Sequence, residues 1–265
     1  NSFASLVTCV AKSRLGYENL RKMFLYFLPV SVFTEVTLTF LNIVLGTPVI
    51  LNGYMMIFFC ILSDLIQSLS FVFDKEEIGL MATKKPRALN KHLLDTRAII
   101  YGFLYAGSYA TFFSLVNYFL YFKLFSDINI KDLFFVYNGN VSISTGVTDY
   151  QFRTVLSGAQ TTCFIALATI QLLGNMYTIR TKHLSLVQSV FSWIKQRHLA
   201  IPVVSLISLV IFLLTLFVPP LQSMFSIINV PFYFYFISFA FVIGYLGIDE
   251  LRKLLVRKGY KIFSI

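Results

Sequence analysis

The stretch FLYFLPVSVFTEVTLTFLNIVLGTPVILNGYMMIFFCILSDLIQSLSFV, residues 24–72, is two apolar runs, 24–46 and 49–72, with only Thr47 and Pro48 between them. At about 1.5 Å of rise per residue, each run is long enough to cross the roughly 30 Å hydrocarbon core of a bilayer. Each holds one carboxylate, Glu35 in the first and Asp64 in the second, and no other acid of the chain sits inside a long apolar run. An ionisable group at bilayer depth is costly, so a retained one usually faces a packed interior or wet cavity and marks an ion or substrate path. Both acids fall near the middle of their runs. A tight hairpin therefore sets them at similar depth, where a transported cation would pause.

Working outward, four more runs are long enough to span, at 98–122, 154–178, 202–219 and 229–248, of which 154–178 is the least clean because Gln160, Thr161, Thr162, Gln171 and Asn175 interrupt it. With 57% hydrophobic, 17% aromatic and 13% charged residues, the composition excludes an ordinary soluble domain. The fold expected is an all-α polytopic membrane bundle of six transmembrane helices. Of the 22 Lys and Arg, only Lys123, Lys131 and Arg153 lie on one side of these runs, and the other nineteen lie opposite. The positive-inside rule then makes both termini cytoplasmic. The net charge of +10 reads as a basic collar against anionic headgroups, and no nucleic-acid partner is expected. The spacing of Cys9, Cys60 and Cys163 implies neither a disulfide framework nor a zinc or other metal centre.

The chain divides into a lead-in (1–23), a six-span region (24–248) and a basic cytoplasmic tail (249–265). The lead-in is amphipathic and runs into the first span without a strong breaker, so one long helix is expected to enter the membrane from the cytosol. Pro29 should kink that helix or loosen a turn. The loop at 73–97 carries Lys84-Lys85-Pro86-Arg87, and the outer loop at 123–153 carries a glycosylation sequon at Asn140. Aromatic density is assigned to lipid-facing and interfacial packing, Cys60 and Cys163 to apolar filling, and the basic tail to a helix end snorkelling toward headgroups. Because Asn1 is not Met and the chain opens in mid-pattern, it reads as a fragment or truncated form of something longer.

Asn1-Ser-Phe-Ala-Ser-Leu-Val7, Asn19-Leu-Arg-Lys22, the Glu35 and Asp64 runs, Lys84-Lys85-Pro86-Arg87 and Asp249-Glu250-Leu-Arg-Lys253 occur in that order along the chain. This order resembles the C-terminal membrane region of a P-type cation-transporting ATPase, of the sodium/potassium-pump-like branch. The resemblance implies the membrane half of an ATP-driven monovalent cation or proton pump, in the plasma membrane. Its ATP and magnesium would be bound by domains that this chain does not include. It also implies that the first helix couples the cation site to the phosphorylation domain.

The sequence departs from the family's pattern at the site. Where the family carries Asp-Leu-Gly-Thr-Asp this chain reads Cys60-Ile-Leu-Ser-Asp64, Thr34 precedes Glu35 in place of a proline, and Val32 stands where an asparagine is common. The eighth-helix aspartate is replaced by the neutral Gly174-Asn175, and the outer loop lacks the Ser-Tyr-Gly-Gln that meets a small single-span subunit, so that partner is not expected. Glu35 and Asp64 are the expected cation-binding residues, with Ser31, Thr34, Ser63, Gln67, Gln171 and Asn175 as secondary candidates. Each secondary candidate has a plainer role open to it, as a hydrogen bond between helices. Two other functions stay open: a truncated, non-catalytic binding or regulatory membrane protein, and an independent six-helix channel or proton carrier.

Overall fold

A computed structural model describes residues 3–74, 93–126, 128–135, 149–180, 185, 188 and 200–258, and among them every regular element is helical. Lys84-Lys85-Pro86-Arg87, the Asn140 sequon, the end of the tail and the side chain of Ser63 lie outside the described residues. Five helical stretches are long and apolar enough to cross a membrane: α1 (Ser5–Leu45), α2 (Gly53–Phe73), α3 (Ala98–Phe125), α4 (Tyr150–Thr178) and α7 (Tyr233–Arg257). A bent pair, α5 (Ile201–Phe217) and α6 (Pro219–Phe225), makes a sixth if counted as one broken span.

The differences from the six expected runs have local causes. α5 and α6 meet at 86° because Val218, ahead of Pro219-Pro220, is held in an extended conformation (φ −90°, ψ 115°). α2 begins four residues later than its apolar run, at Gly53 rather than 49. Gly46 ends α1 in the left-handed region (φ 61°), and Asn52 is extended (φ −70°, ψ 147°). The carbonyls left open between the two helices are taken by distant side chains, Pro48 by Tyr118 Oη (3.3 Å) and Val49 by Gln160 Nε2 (2.7 Å). α1 is one continuous helix of 41 residues, and Pro29 loosens it into a π-helical turn over Leu28–Phe33. A proline has no N–H for the ordinary bond and its ring clashes with the carbonyl four residues back; a wider turn relieves both.

α4 is the central helix. Its apolar window is 78% buried, against 28% for α1 and α7. That position accounts for the polar residues that interrupt its sequence. They face protein, where partners exist, and not lipid: Thr162 donates to the Asn117 carbonyl (3.3 Å), and Asn117 Nδ2 donates to Ser238 Oγ (2.9 Å). The aromatic residues divide, which corrects their assignment to lipid-facing and interfacial packing. Phe112 and Phe236 are exposed, but Phe58, Phe59 and Phe164 pack edge-on or tilted in the core, with centroids 5.0 to 6.2 Å apart.

α3 and α4 approach closely at Gly158, where any β-carbon would strike the Tyr121 ring. Gly158→Ala is expected to destabilise the bundle by about 1–3 kcal/mol, the usual cost of overpacking. Thermal unfolding in detergent measures it, and an unchanged midpoint would mean that Tyr121 moves aside freely.

Candidate cation site

Four helices loosen into π-helical turns, at Leu28–Phe33 in α1, Phe58–Leu65 in α2, Tyr101–Gly107 in α3 and Ile170–Asn175 in α4. The α1 turn packs against the other three. Such turns widen the helix by one residue and are frequent at functional sites. Glycines permit the closest approach: a β-carbon on Gly102 would sit 2.6 Å from Pro29 Cγ, and one on Gly107 would sit 2.7 Å from the Pro29 carbonyl oxygen.

Asp64 lies inside the α2 turn and is completely buried. Its Oδ1 accepts from Gln171 Nε2 at 2.8 Å. Gln171 Oε1 accepts in turn from Asn175 Nδ2 (3.0 Å), which also donates to the Tyr26 carbonyl (3.2 Å), and Tyr245 Oη donates to Asn175 Oδ1 (3.2 Å). Tyr26 reaches across from α1 to donate through its hydroxyl to Gln67 Oε1. Three buried polar atoms here have no well-formed hydrogen bond: Asp64 Oδ2, Ser31 Oγ and Gln67 Nε2. Ser31 is a close neighbour of both Asp64 and Cys60.

Glu35 is near Asp64 but not joined to it. It is only half-buried, and Cys60 stands between the two, its Sγ 3.4 and 3.5 Å from the Glu35 carboxylate oxygens. Cys60 is thus a thiol donor to Glu35 and not the apolar filler expected of it. Of the secondary candidates, Ser31, Gln67, Gln171 and Asn175 gather around Asp64. Thr34 is turned away and accepts from Thr111 Oγ1 on α3 (3.3 Å). Among the described residues, no three His, Cys, Asp or Glu side chains converge as a metal centre would need.

A family model described as "Cation transporting ATPase, C-terminus" matches residues 48–255. The chain belongs to that family. It is 26% identical to potassium-transporting ATPase alpha chain 2 of Rattus norvegicus over 269 residues, covering 97% of this chain and 25% of that protein. Potassium-transporting ATPase alpha chain 1 of Xenopus laevis is 24% identical over 272 residues, with the same coverage of 97% and 25%. Sodium/potassium-transporting ATPase subunit alpha-4 of Rattus norvegicus is 28% identical over 133 residues, half of this chain and 12% of that protein. The chain thus spans about a quarter of the length of the curated relatives it matches along nearly all of its own. As a member of the cation-transporting ATPases built of apolar helices, it is an integral membrane protein.

Two buried charge clusters of this ATPase region were missed in the sequence. At one end of the bundle, Asp74 is 7% exposed, pairs with Lys22 Nζ (3.6 Å) and with Arg180, and takes Asn19 Nδ2 on its backbone carbonyl (2.9 Å). The Arg180 guanidinium lies 4.4 Å over the Phe71 ring and donates to Ser70. Burial pulls the Arg180 pKa down and the adjacent Asp74 opposes that shift. The second cluster is in α7, where Arg252 Nε (2.8 Å) and Lys253 Nζ (2.9 Å) hold Asp249. Lys253 is fully buried and Arg252 lies 4.8 Å over the Tyr101 ring, so neither snorkels to a headgroup as expected. A sequence signal existed: acids spaced three and four residues from bases on one helix pair with one another.

Proposed function

We propose that this chain is the membrane part of an ATP-driven monovalent cation or proton pump, in which Asp64 is the principal cation-binding group and Glu35, hydrogen-bonded to Cys60, the second. The observation that carries the reading is Asp64 itself: an acid buried in the middle of an apolar helix, whose Oδ2 and the neighbouring Ser31 hydroxyl have no well-formed hydrogen bond. Burial of a carboxylate without a counter-charge is expensive. A cation or a proton arriving at Oδ2 would supply that charge. The ion class is taken from relatives named as potassium- and sodium/potassium-transporting.

The coupling element is α1. It runs unbroken from Ser5 to Leu45, and carries Asn19, Arg21 and Lys22 near its middle and Ser31 and Glu35 further along toward its C-terminal end. Arg21 pairs with Asp95 (3.1 Å) ahead of α3, and Lys22 with Asp74 at the end of α2. A push on the N-terminal half of α1 would therefore reach the site as a shift of one helix against its neighbours, a two-state element biased from a distance. The phosphorylation and nucleotide chemistry, with its ATP and magnesium, belongs to further domains of the pump, and the plasma membrane is the site of action.

The test is ATP hydrolysis by the full-length polypeptide with sodium, potassium or acid pH as activator, alongside ion flux in proteoliposomes. Cation-stimulated hydrolysis coupled to flux is expected. Flux through residues 1–265 alone, without ATP, would replace the pump with a channel or carrier.

A further inference from the structure

We propose that Tyr245 is a positioning residue for this site: through Asn175 and Gln171 its hydroxyl fixes which end of an amide faces Asp64. The inference rests on the reading of Asp64 as the cation-binding group.

Each carboxamide has an acceptor end and a donor end. Tyr245 Oη, which also neighbours the Thr178 and Tyr101 hydroxyls, donates to Asn175 Oδ1 at 3.2 Å, and Asn175 Nδ2 faces Gln171 Oε1 (3.0 Å) and the Tyr26 carbonyl (3.2 Å). With its oxygen taken, Gln171 turns its nitrogen to Asp64 Oδ1 (2.8 Å). The Tyr26 carbonyl, an acceptor only, also lies 3.5 Å from Gln171 Nε2 and favours the same sense. All four side chains, Asp64, Gln171, Asn175 and Tyr245, are completely buried, so no bulk water substitutes for a missing partner. Asp64 therefore receives the Gln171 N–H on Oδ1 and leaves Oδ2, beside Ser31, to meet cargo. The amide oxygens are withheld from the site. A reversed pair would set Gln171 Oε1 against the carboxylate, oxygen to oxygen, and displace it.

Tyr245 is itself held by packing. Its ring lies nearly parallel to Tyr105 (centroids 5.4 Å, 16°) and tilted on Tyr109 (5.2 Å), and Tyr105 Oη donates to its carbonyl (3.1 Å). Gly174 of α4 provides the space for the ring: a β-carbon there would sit 2.8 Å from Tyr245 Cδ1. The tyrosine thus sets the orientation of the amides from α7 while touching neither Asp64 nor its cargo.

The experiment is a double-mutant cycle in the full-length polypeptide, reading the half-saturating concentration of the activating cation and the maximal ATPase rate separately. Tyr245→Phe keeps the ring and removes the donor. It is expected to raise the half-saturating concentration about tenfold, the scale of one buried hydrogen bond, with the maximal rate within about twofold. Gln171→Leu should produce a similar shift, and the double variant no more than either alone, because both cut the same chain. Gly174→Ala, which displaces the hydroxyl without removing it, should move the affinity in the same direction and covers the case that Tyr245→Phe does not fold. Shifts that multiply in the double variant would overturn the relay, since a packing role is independent of Gln171. No shift in Tyr245→Phe or Gly174→Ala, with Asp64→Asn inactive, would overturn it and leave the site standing. An active Asp64→Asn would overturn the site and the relay together.

Discussion

Asp64→Asn in the full-length polypeptide is expected to abolish cation-stimulated ATP hydrolysis, while Glu35→Gln weakens it by about tenfold. The difference follows from burial and partners. A unit charge about 4 Å from a cation contributes roughly 4 kcal/mol at an effective dielectric near 20, or close to three decades of affinity. Asp64 is fully buried, and its Oδ2 has no well-formed hydrogen bond. Glu35 is only partly buried and meets the Cys60 thiol, away from the amide chain on Asp64, so it is the more peripheral group and its loss removes less. Asparagine has the shape of aspartate, and its amide can still accept from Gln171, so the variant should fold. Activation curves in sodium, potassium and acid pH measure both effects. An Asp64→Asn enzyme with unchanged stimulation would remove Asp64 from the transport path.

The architecture was legible in the sequence because its signal is local. Twenty apolar residues in succession declare a span whatever they pack against, and the runs around Glu35, Tyr109, Cys163 and Phe239 all fall on membrane-length helices. What a polar residue does within a span depends on its neighbours, and there local reading failed. Gln160, Gln171 and Asn175 made the fourth run look poor, yet they mark the helix that the others surround. Arg252 and Lys253 looked like headgroup ligands, because nothing in the sequence places the Tyr101 ring beside α7. Tyr245 counted as one aromatic among many. A buried tyrosine needs a partner for its hydroxyl, but which partner is settled only when α4 and α7 meet at Gly174.

The candidate site was half legible for the same reason. Two carboxylates in two adjacent runs can be read off the chain, and so can an amide pair four residues apart on one helical face. The proline that loosens α1 is also visible. That α2, α3 and α4 carry π-helical turns as well, against which the α1 turn packs, is not. Cys60 was read by composition as a small apolar residue. Only the packing of α1 on α2 brings its sulfur to Glu35.

The largest effect on stability is expected from Asp74→Ala. Asp74 joins the ends of three helices: its carboxylate pairs with Lys22 of α1 and with Arg180 just beyond α4, and it lies at the end of α2 itself. Removing it strands Arg180, which is 2% exposed. Stranding one partner of a buried ion pair costs about 3–5 kcal/mol, because the remaining charge is neither solvated nor balanced. For a chain of this size each kcal/mol moves the unfolding midpoint by roughly 2–4 °C, so a fall of about 10 °C is expected in detergent. Asp74→Leu combined with Arg180→Met and Lys22→Met should recover most of the loss, since apolar replacement of all three members removes the desolvation cost with the attraction. The same triple variant separates stability from coupling. If Asp74 is also the point through which α1 moves α2 and α4, the restored bundle will still show cation-stimulated hydrolysis reduced severalfold. A triple variant that is stable and fully active would confine the cluster to holding the helices together.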